Sequence, residues 1–210
     1  MITEDSSDRF WYVTYHGERS RKVLQADEDQ RCLRDELVGV PLAKTWRPPG
    51  YRIIGTGVWP EWMAYWVPLL SSRALPLLRD LLAPHCEFLP WIDEPEHRYT
   101  LINVTTQIPR ANWSCKTSSV YGDVYAAADV IELHDVAVPA IFRLEGYRGK
   151  IFVSDTVART SVDNSLKGAI FVDPLVPEVN LSFIRMRFGR RGTGFVRKED
   201  DLPGDLSAVH

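Results

Sequence analysis

The chain contains no apolar run long enough to cross a bilayer. Its longest, Met63 to Leu70, is less than half of the roughly 20 residues a spanning helix needs. Cysteine is scarce as well. Cys32, Cys86 and Cys115 are odd in number and far apart, which argues against a disulfide framework and suits free thiols in a reducing cytoplasm. The start, Met1 to Asp8, is acidic and polar and lacks the basic stretch of a cleaved signal peptide. Positive charge is not in excess. The 25 lysines and arginines face 28 acidic residues, a net −3 that argues against general affinity for nucleic acid or anionic membrane. The five histidines, His16, His85, His97, His134 and His210, never fall at a metal-ligand spacing. His85 and Cys86 are adjacent, but a zinc site needs further ligands at defined intervals. Gly55-Thr-Gly57 runs into Val-Trp-Pro and cannot open a helix as a phosphate-cradling loop does. A cysteine nucleophile needs a histidine folded against it. Cys115 with His134 is the pair that folding alone decides. The reading is a protein with no cofactor, no bound metal and no enzymatic activity.

What is present is a globular composition of 210 residues, 45% hydrophobic and 25% charged, with seven tryptophans. Residues 1–9 are expected to be disordered. Phe10 to Tyr15, aromatic and β-branched, reads as a strand. Glu18 to Leu37 is highly charged and reads as a solvated loop or weak surface helix. Thr45 to Trp66 reads as irregular, broken by Pro48-Pro49-Gly50 and by Gly55 and Gly57. Its dense aromatics either cap one end of the core or form a partner-binding surface.

Ser71 to Ala83 is the clearest helix. A serine can accept from its first free amides, Leu75, Leu78, Leu81 and Leu82 make one apolar face, and Pro84 stops it. Glu87 to Ile92 contains Pro90, so it reads as an edge or bulged strand. A turn at Glu94-Pro95 leads to Arg98–Thr105, apolar enough for a central strand. Arg110 to Tyr121 reads as a loop. Val130–His134, Ala140–Leu144 and Lys150–Val153 read as strands, the last two a hairpin. Alternation turns Ile141 and Arg143 one way and Phe142 and Leu144 the other. Ser154 or Asp155 caps a helix that runs to about Ser165 and ends at Gly168, and Ala169–Asp173 returns as a strand.

Beyond Pro174 the pattern weakens. Leu181 to Phe188 fits a further strand, and Gly189 to Gly194 reads as mobile. Arg185, Arg187, Arg190, Arg191, Arg197 and Lys198 run without an intervening acid before Glu199, Asp200, Asp201 and Asp205. Three readings stay open: self-compensating solvated charge, contact with an acidic protein, or phosphate contact. The expected fold class is α+β, a mainly antiparallel sheet with two or more helices packed on it. The expected organisation is one domain over 10–175 and a partly ordered extension over 176–210.

Several segments carry a resemblance. Leu75-Pro-Leu-Leu-Arg-Asp-Leu-Leu82 is followed by Glu87-Phe-Leu-Pro90 and Tyr99-Thr-Leu-Ile-Asn-Val104. Ile141-Phe-Arg-Leu144, Ile151-Phe-Val-Ser-Asp155 and Gly168-Ala-Ile-Phe171 complete the ordered set. Over Ser71–Asp173, about half the chain, it resembles immunity protein family eleven of bacterial polymorphic-toxin systems. That resemblance implies a cytoplasmic bacterial protein that binds and neutralises a cognate toxin by stoichiometric contact. It brings no catalytic residue. The segments before Trp46 and after Asp173 fall outside it. Partner-facing residues are expected at Trp46, Trp59, Trp62, Arg190 and Arg191. The alternatives are a small hydrolase with dispersed catalytic residues and a nucleic-acid accessory protein.

Overall fold

The computed structural model describes residues 9–15, 23–26, 39–54, 59–63, 68–94, 97–118, 128–147, 150–175 and 193–196. In chain order these form β1 (Phe10–Tyr15), β2 (Val23–Ala26), β3 (Tyr51–Ile54), β4 (Trp62–Met63), β5 (Leu69–Ser71) and α1 (Ala74–Leu82). Next come β6 (Cys86–Glu94), β7 (His97–Val104), β8 (Gln107–Ile108), β9 (Trp113–Ser118) and β10 (Ala128–Leu133). The series ends with β11 (Ile141–Leu144), β12 (Ile151–Ser154), α2 (Asp155–Asp163), β13 (Ala169–Val172) and β14 (Gly194–Val196).

The fold is α+β. A six-stranded sheet has the order β14-β13-β1-β12-β11-β8. Its inner pairings are antiparallel, and the parallel pairs β8–β11 and β13–β14 close its two edges. A four-stranded antiparallel sheet runs β4-β5-β7-β6, and β2–β3 and β9–β10 form two-stranded ladders.

Strand alternation sorts the apolar side chains into layers. Trp11, Val13, Ile141, Val153 and Phe171 leave one face of the six-stranded sheet. They join Leu78 and Leu82 of α1, Val157 and Ala158 of α2, and Ile102 and Val104 of β7. The opposite face carries Phe10, Tyr12, Phe142, Phe152 and Leu144, and meets Trp113 and Ile131 from the β9–β10 ladder. A third cluster, with Met63, Leu69, Leu89, Trp91, Tyr99 and Leu101, lies on the outer face of the four-stranded sheet.

Both helices follow from local sequence. Ser71 Oγ accepts from the Ala74 amide at 3.2 Å ahead of α1, whose Leu78 and Leu82 are fully buried and whose Leu75 and Leu81 pack half-buried beside them. Ser154 caps α2 by accepting from the Val157 amide. Beside it, the buried Asp155 carboxylate accepts from Trp11 Nε1 at 2.9 Å and pairs with Arg159, tying the helix to β1. β7 is central, between β5 and β6, and β6 is an edge strand whose register shifts between Pro90 and Ile92. Both properties follow from Pro90, which has no amide to give a ladder.

Five expectations need correction. The charged segment Glu18–Leu37 contains β2, paired with β3, and Thr45–Trp66 contains β3 and β4. Arg110–Tyr121 is not a loop, because β9 begins at Trp113. Trp113 and Cys115 turn inward while the polar Ser114 between them makes an exposed contact, so a period of two underlies a serine-rich stretch. Gly168 does not end α2, which stops at Asp163. It opens β13 at φ +115°, where a Cβ would stand 2.0 Å from the Trp62 carbonyl oxygen. Gly194, expected in a mobile stretch, starts β14 against β13. Leu181–Phe188 and the first eight residues lie outside the described residues.

Candidate functional site

The aromatic segment from Gly39 to Tyr51, together with Trp59, lies on the outer face of the four-stranded sheet as a strap. Glu87 of β6 anchors its start. The Glu87 carboxylate accepts from the Leu42 and Ala43 amides and from Asn103 Nδ2 of β7, at 2.5, 3.2 and 2.9 Å. Asn103 also donates to the Val40 carbonyl at 2.8 Å. Burial pushes the Glu87 pKa upward, but these three hydrogen bonds outweigh it and hold the carboxyl below its ordinary range. Two indoles stitch the middle. Trp46 Nε1 donates to the Pro90 carbonyl at 2.8 Å, and Trp91 Nε1 donates to the Pro49 carbonyl at 3.0 Å. Leu42, Trp46, Tyr51 and Trp59 then pack half-buried on the third cluster, with Trp59 against Tyr99 at 5.7 Å between ring centroids. Trp46, Tyr51 and Trp59 therefore cap the core and stay only half-buried, while Tyr65 and Trp66 lie outside the described residues.

The expected partner-facing residues separate. Trp46 and Trp59 share the strap. Trp62 does not join them: it has no solvent exposure and meets Phe171 edge-on at 5.9 Å, because β4 turns it into the main core. Trp62 is a packing residue, and its expected surface role is withdrawn. Arg190 and Arg191 lie outside the described residues, as do the other basic residues of the tail.

Cys86 is buried and donates toward the Leu82 carbonyl; burial, with the Glu87 charge adding, pushes its thiol up to about 12. Such a thiol holds its proton and is a poor nucleophile. His85 contacts Thr106 Oγ1 through Nδ1 at 3.1 Å, and burial lowers its pKa. His134 meets Ser114, not Cys115: Nε2 and Oγ are 2.9 Å apart across the β9–β10 ladder. Among the described residues no group of three or more histidine, cysteine or carboxylate side chains is placed to hold a metal. Among the same residues no helix is long and apolar enough to cross a membrane.

Two further features escaped the reading by composition. The first is a cation–aromatic ladder at one end of the six-stranded sheet. The Arg110 guanidinium lies 4.1 Å over Trp113, Trp113 meets Tyr147 edge-on at 5.8 Å, and Lys150 Nζ sits 4.5 Å over Tyr12. Glu145 accepts from the Arg110 amide at 2.9 Å and steadies the first rung. The second is Arg143, whose alternation with Ile141 was visible but whose consequence was not. Its Nε is buried without a hydrogen-bond acceptor, and burial pushes the guanidinium down to about 10, still charged at neutral pH. No family model matches the chain, and no curated protein matches it.

Proposed function

We propose that this protein is an immunity protein that binds a cognate bacterial toxin and neutralises it by stoichiometric contact in the cytoplasm. The observation that carries the reading is the strap. Trp46 and Trp59 are held in one orientation by backbone and ring contacts, and each residue is only half-buried. Aromatic rings fixed before binding lose little entropy when a partner covers them, and tryptophan is over-represented among binding hot spots. The ordered segments from Leu75 to Phe171 add the resemblance to immunity protein family eleven. The test is co-expression with the toxin domain encoded beside its gene. Growth is restored and the two proteins co-purify if the reading holds; unrescued growth with no complex removes it.

A second reading, a hydrolase, has one contact in its favour: the Ser114–His134 pair, whose 2.9 Å separation suits proton transfer from a nucleophilic hydroxyl. Both side chains are at the surface, where water competes for the same proton. Turnover of generic ester substrates that disappears in Ser114→Ala supports this reading, and equal activity in wild type and variant removes it.

A further inference from the structure

Arg143 is placed as a core residue is placed, yet it is charged. In β11 it shares a face with Ile141, toward the helices. Arg9, Arg73 and Arg159 each have a carboxylate within 3.3 Å. Arg143 has no such neighbour among the described residues, and its Nε is shut away from water without an acceptor. A half-buried guanidinium left unpaired destabilises a fold. A fold keeps such a group most economically where something else supplies the anion.

The surroundings describe that anion. The parallel β8–β11 register sets Gln107 beside Arg143. The Gln107 amide rests against Gly39, where the strap begins: at φ +86° a Cβ on Gly39 would stand 2.2 Å from Gln107 Nε2. One positive charge, one neutral amide and one stretch of backbone match a monoanion. A phosphate dianion would leave charge uncompensated on a single guanidinium, whereas a planar carboxylate fits its fork.

We propose that Arg143, with Gln107 at its side, is a receiving site for one carboxylate, carried either by a small carboxylic acid or by a glutamate or aspartate side chain of a bound polypeptide. The site stands independently of the toxin-binding reading, since it needs no particular partner.

The test follows the arginine Nε–Hε signals of the isotopically labelled full chain by NMR. The Arg143 signal is identified as the one missing from Arg143→Lys. Sodium acetate and the blocked peptide acetyl-Gly-Glu-Gly-amide are titrated separately, against sodium chloride at equal ionic strength and acetyl-Gly-Gln-Gly-amide. A saturable shift of the Arg143 signal with acetate or the glutamate peptide, absent from both controls, is expected. Peptide binding about tenfold tighter than acetate, a difference of about 1.4 kcal/mol, assigns the source to a polypeptide; acetate binding as tightly assigns it to a small acid. No saturable shift with either by about 100 mM overturns the proposal. Arg143→Met gives a second readout. Without added carboxylate its melting temperature should rise by about 2–4 °C, and acetate should no longer raise it further. A fall of similar size makes the guanidinium a structural member of the fold and also overturns the proposal.

Discussion

Trp62 and Trp46 bear the same side chain at different depths, so truncation should separate them. Trp62→Ala removes a fully buried ring from the main core and is expected to cost about 3–5 kcal/mol of stability, read by denaturant unfolding. Trp46→Ala removes a half-buried ring and its hydrogen bond to Pro90, and should cost about 1–2 kcal/mol in the same measurement. Gly168 is a sharper case. Its positive φ and its approach to the Trp62 carbonyl both exclude a side chain, so Gly168→Ala should cost about 1–3 kcal/mol without changing the slope of the unfolding curve. The need for glycine at 168 is visible in the sequence as a breaker, but its cause is not. The clash is with β4, over a hundred residues away in the chain, and local punctuation points to the nearer helix end instead.

The strap and the four-stranded sheet are held together by a carboxylate, which makes their docking sensitive to acid. Glu87 has a folded pKa below its ordinary value, so the stability it supplies is present above the ordinary carboxylate range and is lost as pH falls through the folded value. His85, lowered by burial, works in the same direction at higher pH: it folds neutral, and protonation below the ordinary histidine value opposes folding. Stability should therefore fall first below the ordinary histidine value and again, more steeply, as pH drops below the ordinary carboxylate value and through the lower folded value of Glu87, and Glu87→Gln should flatten that second part of the slope. Thermal unfolding across this range checks it; an unchanged slope in the variant contradicts the anchoring role. At this scale the sequence was readable where alternation or capping chemistry is strong: β1, α1, β6 with its proline, β7, the β11–β12 hairpin and α2 at Ser154. It was not readable at β2, β3 and β9. Charge, prolines and serines there resemble loop composition, and only pairing, of β2 with β3 and of β9 with β10, makes them strands. The strap followed the same division. Its aromatics were plain in the sequence, but whether they cap the core depends on Glu87 and Asn103, which hold the start of the strap from β6 and β7.

In the whole molecule, β1 is the member that unites distant segments. β12 and β13 do not pair with each other; each pairs with opposite sides of β1. Arg9 reinforces the joint with a 3.3 Å ion pair to Asp173, just past β13. The stretch that resembles the immunity family, Ser71–Asp173, therefore lacks the middle strand of its own sheet. Expressed alone it should fail to fold, and a dispersed spectrum from that fragment in proton NMR contradicts this topology. The same dependence explains why the sequence disclosed the class of fold and not its wiring: an N-terminal strand inserted between two C-terminal ones leaves no local mark. The central functional claim belongs to this scale too, because a strap that presents Trp46 and Trp59 acts only on a correctly folded sheet. Titration calorimetry of the full chain against the toxin domain encoded beside its gene tests it most directly. A saturable, stoichiometric endpoint is expected, with a loss of at least about 2 kcal/mol, roughly thirtyfold in affinity, on Trp46→Ala. No heat of binding at any ratio, or an affinity untouched by the substitution, would contradict it.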